Sequence, residues 1–249
     1  MRGTSFASKS YKDNAIVIRT HKLGESDRII TLLTQHHGIV RAVAKGVRKT
    51  KSKFGARLEP SMVVDALLVH GRNLDIVSQV ESLGAYTELF ASDYQLYIIG
   101  STMLETAEKL YQDTDQTFHE YNLLLGALNA LNNQHDDPHL ILDAYLLRAV
   151  SQAGWTPSFI DCAKCGKAGP HKALSIPLGG AVCENCRPPG AAAPDTEVFE
   201  VLDGLLNSRW AKPRVASTEV KDHVHSITAN YVQYHIDKKI KSLNYVEIP

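Results

Sequence analysis

Two groups of residues in this chain have types and spacings that could do chemistry. The first is the cysteines, which all fall in two Cys-x2-Cys pairs, CAKC (Cys162, Cys165) and CENC (Cys183, Cys186), separated by seventeen residues. Two residues between thiolates let both sulfurs reach one ion, and two such knuckles complete a tetrahedron around Zn²⁺. Four cysteine ligands close the coordination sphere, so the expected metal is one structural Zn²⁺ per chain rather than a catalytic ion with an open position. A disulfide pairing would need an oxidising compartment. A redox Cys-x2-Cys would leave the second matched pair unexplained. The stretch between the knuckles, HKALSIPLGGAVC, reads as a hairpin turning at Gly179-Gly180, so the unit resembles a zinc ribbon. His171 within it is not needed as a ligand while four cysteines are present.

The second group is the stretch KGVRKTKSKFGAR, Lys45–Arg57, which holds six Lys or Arg and no acid in thirteen residues. From Arg28 to Leu58 eight basic residues (Arg28, Arg41, Lys45, Arg48, Lys49, Lys51, Lys53, Arg57) meet no Asp or Glu. The whole chain is formally neutral, yet residues 1–80 carry 14 Lys/Arg against 6 Asp/Glu, so the remainder carries the opposite imbalance. Like charges this dense repel, and nothing nearby in sequence is expected to neutralise them. A polyanion would do so and release condensed counterions. Phe54 could stack on a base or plug the end of a barrel. No recognition-helix pattern accompanies these residues, so contact with backbone and exposed bases is expected, with little sequence preference.

Catalytic signatures are missing. There is no GxxxxGK[ST], no HExxH, no GxSxG, and no His-x-Glu paired with Pro-Cys-x2-Cys. The acid pairs Asp113/Asp115 and Glu25/Asp27 have no companion that would make a two-metal site. A non-enzymatic binding protein is the expectation.

The elements that must position these residues fall into two patterns. From Ala15, short β-branched runs (AIVIRTHKL, RIITLLTQ, IVRAVAKGV, SMVVDALLVH, LDIVSQVE) alternate with glycine-bearing turns. Five strands in this length suit a small barrel of the OB type, with an open meander as the rival. Helical periodicity then takes over. Ser92 is placed to cap one helix. A second covers FHEYNLLLGALNAL. Asp137-Pro138 supplies an N-cap and an N1 proline to a third. RPPGAAAPD, 187–195, reads as a linker, and helices are expected over Thr196–Asn207 and Thr218–Leu243. On the last helix Val220, Val224, Ile227, Tyr231 and Tyr234 form an apolar seam, and Lys238, Lys239 and Lys241 cluster at its end. The expected class is therefore multi-domain α+β: a mobile tail at 1–14 without a secretory h-region, an OB-fold at 15–82, and a helical domain at 83–249 with a zinc ribbon inserted at 161–187. No apolar stretch reaches the ~18 residues of a membrane span, so a soluble, cytoplasmic chain is the expectation.

HKLGESDRIITLLTQHHGIVRAVAKGVRKTKSKFGARLEP, followed in order by GRNLDIVSQVE, ILDAYLLRAVSQAGW and CAKCG…GGAVCENC, resembles the RecO family of bacterial recombination mediators, in an actinobacterial form. The likeness runs from about Ala15 to the final helix. It implies an N-terminal OB-fold that binds single- and double-stranded DNA, a helical C-terminal domain, and annealing of complementary strands. It also implies work with RecR, and often RecF, to help RecA displace single-strand-binding protein during gap and break repair. By position, it puts the eight basic residues on the DNA-binding face and makes the four cysteines zinc ligands. Without the resemblance, an RNA-binding zinc-ribbon protein of translation or ribosome assembly fits the same elements.

Overall fold

The structure, a computed structural model, describes residues 10–86, 93–236 and 238–247. Five strands form the first half: β1 (Ser10–Leu23), β2 (Asp27–Thr34), β3 (Ile39–Ala44), β4 (Met62–Val69) and β5 (Asp75–Ala85). They close into a barrel in the order β1-β2-β3-β5-β4. β4 returns to β1 in antiparallel register from Ser10↔Val69 to Ile16↔Val63, and β3 meets β5 in parallel at Ala42↔Asp75 and Val43↔Ile76. The barrel of the sequence reading is thus present and the open meander is not. Closure gives each of the five strands a neighbour on both sides.

Period-two alternation fills the barrel. Val17, Ile30, Leu32, Val64, Leu68 and Val77 pack inside with Ala42, Ala44 and Ala66. The small alanines leave volume that residues from the β3–β4 crossing take up. Val47, Phe54 and Leu58 belong to the same buried cluster. Leu58 ends a single 3-10 turn, Gly55–Leu58, and the crossing is seated by Ser61 N–H donating to Val17 O at 2.8 Å.

The expected tail at 1–14 is corrected at its inner end. Residues 10–14 are strand, because Ser10–Asn14 pair with Val69–Asp65 and bury Asp13. The rest of that segment lies outside the described residues, as does Ser92.

Helices follow: α1 (Tyr94–Leu110), α2 (Phe118–Asn133), α3 (Pro138–Gln152), α4 (Thr196–Leu206), α5 (Ala211–Val215) and α6 (Thr218–His235). By compactness the chain groups as Met1–Asp93 with Tyr111–Leu125, and Tyr94–Leu110 with Gly126–Pro249. Residues 111–125, expected in the helical domain, therefore count with the barrel. Thr117 Oγ1 donates to Thr34 O at 2.5 Å, and a Cβ on Gly38 would stand 2.4 Å from Thr114 O. That approach, with Gly38 at φ +71°, only glycine tolerates.

In the helical unit α3 is buried on nearly every side, from Leu140 to Leu147, as a helix apolar all round must be. Asp137 caps it as expected, accepting from His139 N–H at 3.0 Å, with Pro138 in the first turn. Arg148 crosses to α4 and donates from Nε and Nη2 to Leu205 O at 2.9 and 2.6 Å. Val224, Ile227 and Tyr231 face inward as the seam predicted, whereas Tyr234 is exposed. The helix expected to run to Leu243 stops at His235, with Ile236 extended at φ −100°, ψ 115°. Glu105 on α1 pulls the chain away: its carboxylate accepts from Lys241 N–H at 3.1 Å and from Ser242 N–H and Oγ–H at 2.9 and 2.6 Å. The three lysines thus lie beyond the helix and do not meet its dipole. Among the described residues no helix is long and apolar enough to cross a membrane.

Candidate metal centre and nucleic-acid interface

The two cysteine knuckles are built by local backbone geometry. Cys162 accepts from Gly166 N–H at 2.8 Å, Cys162 N–H donates to Lys167 O at 2.9 Å, and Cys186 N–H donates to Cys183 O at 3.0 Å. Gly166 takes φ +73°, which lets the first knuckle wrap. Between the knuckles, β6 (Ala173–Ser175) and β7 (Gly180–Val182) form the expected hairpin, in register from Ala173↔Val182 to Ser175↔Gly180. Gly180 is obligatory: a Cβ there would stand 2.0 Å from Ser158 O.

All four sulfurs lie within 4.8 Å of one another, and all four cysteines are free thiols. Cys165 Sγ and Cys183 Sγ are 3.8 Å apart. A tetrahedron with metal–sulfur bonds of ~2.3 Å has an edge of roughly 3.8 Å, so the donor set fits a four-coordinate ion. Cys183 N–H, opposed by burial and joined by the N–H groups of Cys165 and Lys164, draws the Cys162 thiol down to about 6. Cys186 is pushed up to about 12, chiefly by its contact with Cys183. A metal binding here must displace that proton.

The module is more than an appendage. Phe159, Leu174 and Ala181 belong to the same buried cluster as Leu140 and Leu147 of α3, Val198 and Leu202 of α4, and Val224 of α6. The expected linker 187–195 is partly built in as well, since Leu174 N–H donates to Ala192 O at 2.9 Å. His171 points elsewhere, its Nε2 2.9 Å from Lys167 O. Among the described residues no other group of His, Cys, Asp or Glu is arranged to hold a metal.

The basic residues separate into three kinds. Arg41 on β3 and Lys45, Lys49 and Lys51 on the crossing are exposed and make no ion pair with a described residue. Arg48, Lys53 and Arg57 are exposed but hold the crossing together. Arg48 Nη1 donates to Gly24 O and Glu25 O at 3.2 and 2.9 Å. Lys53 Nζ donates to Ser78 O at 2.7 Å, and Arg57 Nη1 to Lys53 O and Phe54 O at 3.3 and 3.4 Å. Arg28 is neutralised, because its Nη1 lies 2.6 Å from Glu59 Oε1.

Two expectations are corrected here. The acids flanking the stretch do pair with it: Glu59 takes Arg28, and Asp27 sits under the start of the crossing. Gly46 N–H, donated at 2.7 Å, is the main cause holding Asp27 below the usual carboxylate range, with Lys45 and Lys49 adding to it. Phe54, considered for base stacking, is 2 % exposed inside the barrel and plugs it. Lys53 lies over its ring at 4.9 Å.

A further group gave no linear signal. Tyr11, His36, His37, His70 and Phe118 converge around the two carboxylates Asp13 and Asp75. Their separation along the chain hid them. The doublet His36-His37 in a turn was the one visible hint.

A closed five-strand OB barrel with an exposed cationic crossing, together with a helical unit that carries a four-thiol metal-type knuckle, defines a multidomain α+β class. Residues 8–86 match the family model for the Recombination protein O N terminal, and residues 91–244 match that for the Recombination protein O C terminal. The chain belongs to the RecO family, which places it in DNA repair and recombination.

Proposed function

We propose that this chain is a non-catalytic recombination mediator that binds single- and double-stranded DNA along the β3–β4 crossing and anneals complementary strands. Together with RecR, and with RecF as a further partner, it helps load RecA onto DNA covered by single-strand-binding protein. Its place of work is the cytoplasm, at the nucleoid. The observation that carries the reading is the set of cations Arg41, Lys45, Lys49 and Lys51, exposed on one OB barrel and without an ion pair to any described residue. Annealing requires two mutually repelling strands to be screened without burying their base edges, and a sequence-blind cationic loop supplies that. Arg48, Lys53 and Arg57 keep donors beyond those spent on carbonyls, so they both shape the loop and reach phosphates.

For the cysteines we assign one structural Zn²⁺, held by Cys162, Cys165, Cys183 and Cys186. When bound, the ion supplies a rigid cross-link between the two knuckles. The chain's own contribution is the orientation of the thiols and the packing of the hairpin on α3.

The test is strand annealing at several salt concentrations, comparing wild type with the variant in which Arg48, Lys49, Lys51 and Lys53 become Ala. If about six phosphates are neutralised, log K for a single strand falls against log salt with a slope near −4. Loss of annealing with unchanged melting and metal content supports the reading. A flat salt response, or annealing that survives the four substitutions, overturns it.

A further inference from the structure

We infer that Tyr11, His36, His37, His70 and Phe118 form a stacking platform for unpaired bases of a single strand whose phosphates run along the cationic crossing. The inference rests on the DNA-binding reading above and adds the contact to bases, which the burial of Phe54 otherwise leaves without an owner.

The rings come from four separate places. Tyr11 lies at the start of β1, His36 and His37 make the β2–β3 turn, His70 follows the end of β4, and Phe118 opens α2. Tyr11 lies between two imidazoles, its centroid 4.5 Å from His37 and 4.6 Å from a stacked His70. His36 and Phe118 are 6.1 Å apart. Four of the five rings remain open to solvent: the side chains of His36, His37 and His70 are 59 %, 45 % and 59 % exposed, and Phe118 is 48 % exposed, while Tyr11 is half-buried. Exposed aromatic faces in a row offer every base a π surface irrespective of its identity.

The rings are also held in place from beneath. Asp13, its side chain 1 % exposed, binds His36 Nδ1 at 2.9 Å and His37 Nδ1 at 2.6 Å, and accepts from His36 N–H at 3.0 Å. Asp75 accepts from Tyr11 OH at 2.6 Å and from Gly71 N–H at 3.1 Å, with His70 Nδ1 at 3.8 Å. Hydrogen bonding of Nδ1 to Asp13 fixes the His36 and His37 rings and removes motion that would otherwise be lost on binding. Both acids are thereby engaged and do not confront an incoming phosphate as bare charges.

Continuity with the cationic crossing decides the occupant. Asp75, which holds Tyr11, lies three residues along β5 from Ser78, whose carbonyl holds Lys53. Three residues of strand are about 10 Å, on the order of one or two nucleotides of an extended strand. Asp75 is also the β-partner of Ala42, next to exposed Arg41. Exposed Arg72, two residues after His70, adds a cation to the β4–β5 turn.

The experiment compares full-length protein on oligo(dT) and on an abasic oligomer with the same number of phosphates. Wild type is expected to prefer the strand with bases by about fivefold or more, from stacking of at least one base. Tyr11→Leu with His37→Ala removes the margin and leaves the salt slope unchanged, whereas Tyr11→Phe keeps it. Since Tyr11 is partly buried, the exposed pair His70→Ala and Phe118→Ala carries the same test in a variant whose melting is checked. A preference that persists in the folded ring variants, or that wild type lacks, overturns the platform and leaves the patch to a protein partner. Loss of binding to both oligomers on alanine substitution of the crossing tests the DNA reading separately.

Discussion

Arg28 Nη1 on β2 and Glu59 Oε1 at the far end of the β3–β4 crossing stand 2.6 Å apart, an ion pair that spans the loop carrying six of the basic residues. It fastens the crossing onto the barrel and removes Arg28 from the exposed cations of that face. Arg28→Ala is therefore expected to lower stability by ~0.5 kcal/mol, as partly exposed pairs do. DNA affinity should stay nearly constant, while Lys49→Ala with Lys51→Ala weakens binding and flattens its salt slope. Titrations at two salt concentrations check this.

Phe54 is a structural plug, so its truncation should be felt as loss of core. Phe54→Ala is expected to destabilise by ~3–5 kcal/mol, and Phe54→Leu by much less. The Leu variant should anneal DNA like wild type. Thermal melting and annealing, measured on the same preparations, separate the two roles.

Removing the metal should damage more than the knuckles, because Leu174 and Ala181 of the hairpin share a core with α3, α4 and α6. Cys165→Ser with Cys183→Ser is expected to abolish binding of one Zn²⁺ per chain and to lower the helical unit's melting temperature. Strong chelators should do the same to wild type. Metal analysis with calorimetry is the measurement, and a metal-free protein melting like the loaded one would count against a structural ion.

Glu105 should make stability pH-dependent. Burial alone would raise it, but hydrogen bonds from Lys109, from Ser242 and from the Lys241 backbone outweigh burial and hold it at about 2, against an ordinary 4.5. A depressed carboxylate stabilises the fold above its unfolded pKa, and the benefit is lost as pH falls from about 4.5 through 2. After discounting for partial exposure this is worth about 1–2 kcal/mol at neutral pH. Glu105→Gln should flatten the acid-denaturation profile in that window and loosen the residues after His235, as hydrogen exchange can show.

Much of the candidate chemistry was legible in the chain. The zinc-type spacing, the Asp137-Pro138 cap, the hairpin between the knuckles and the cationic crossing all depend on residues a few places apart, where backbone geometry and charge density are set by chain neighbours. The five strands were readable for the same reason, since period-two alternation is local.

Closure, burial and pairing are different, because they belong to neighbours in space. Only the tertiary structure decided that Phe54 points into the barrel, filling volume left by Ala42, Ala44 and Ala66. It decided that Arg28 is spent on Glu59. It also decided that α6 ends at His235, since the carboxylate that captures the following segment lies on α1. The ring cluster required the barrel to close, bringing Tyr11, His37 and His70 within stacking distance from three different strand ends. The sequence by itself determined which residues carry charge, thiols and rings. The fold determined which of them face solvent, because a side chain's exposure depends on the surfaces that pack around it.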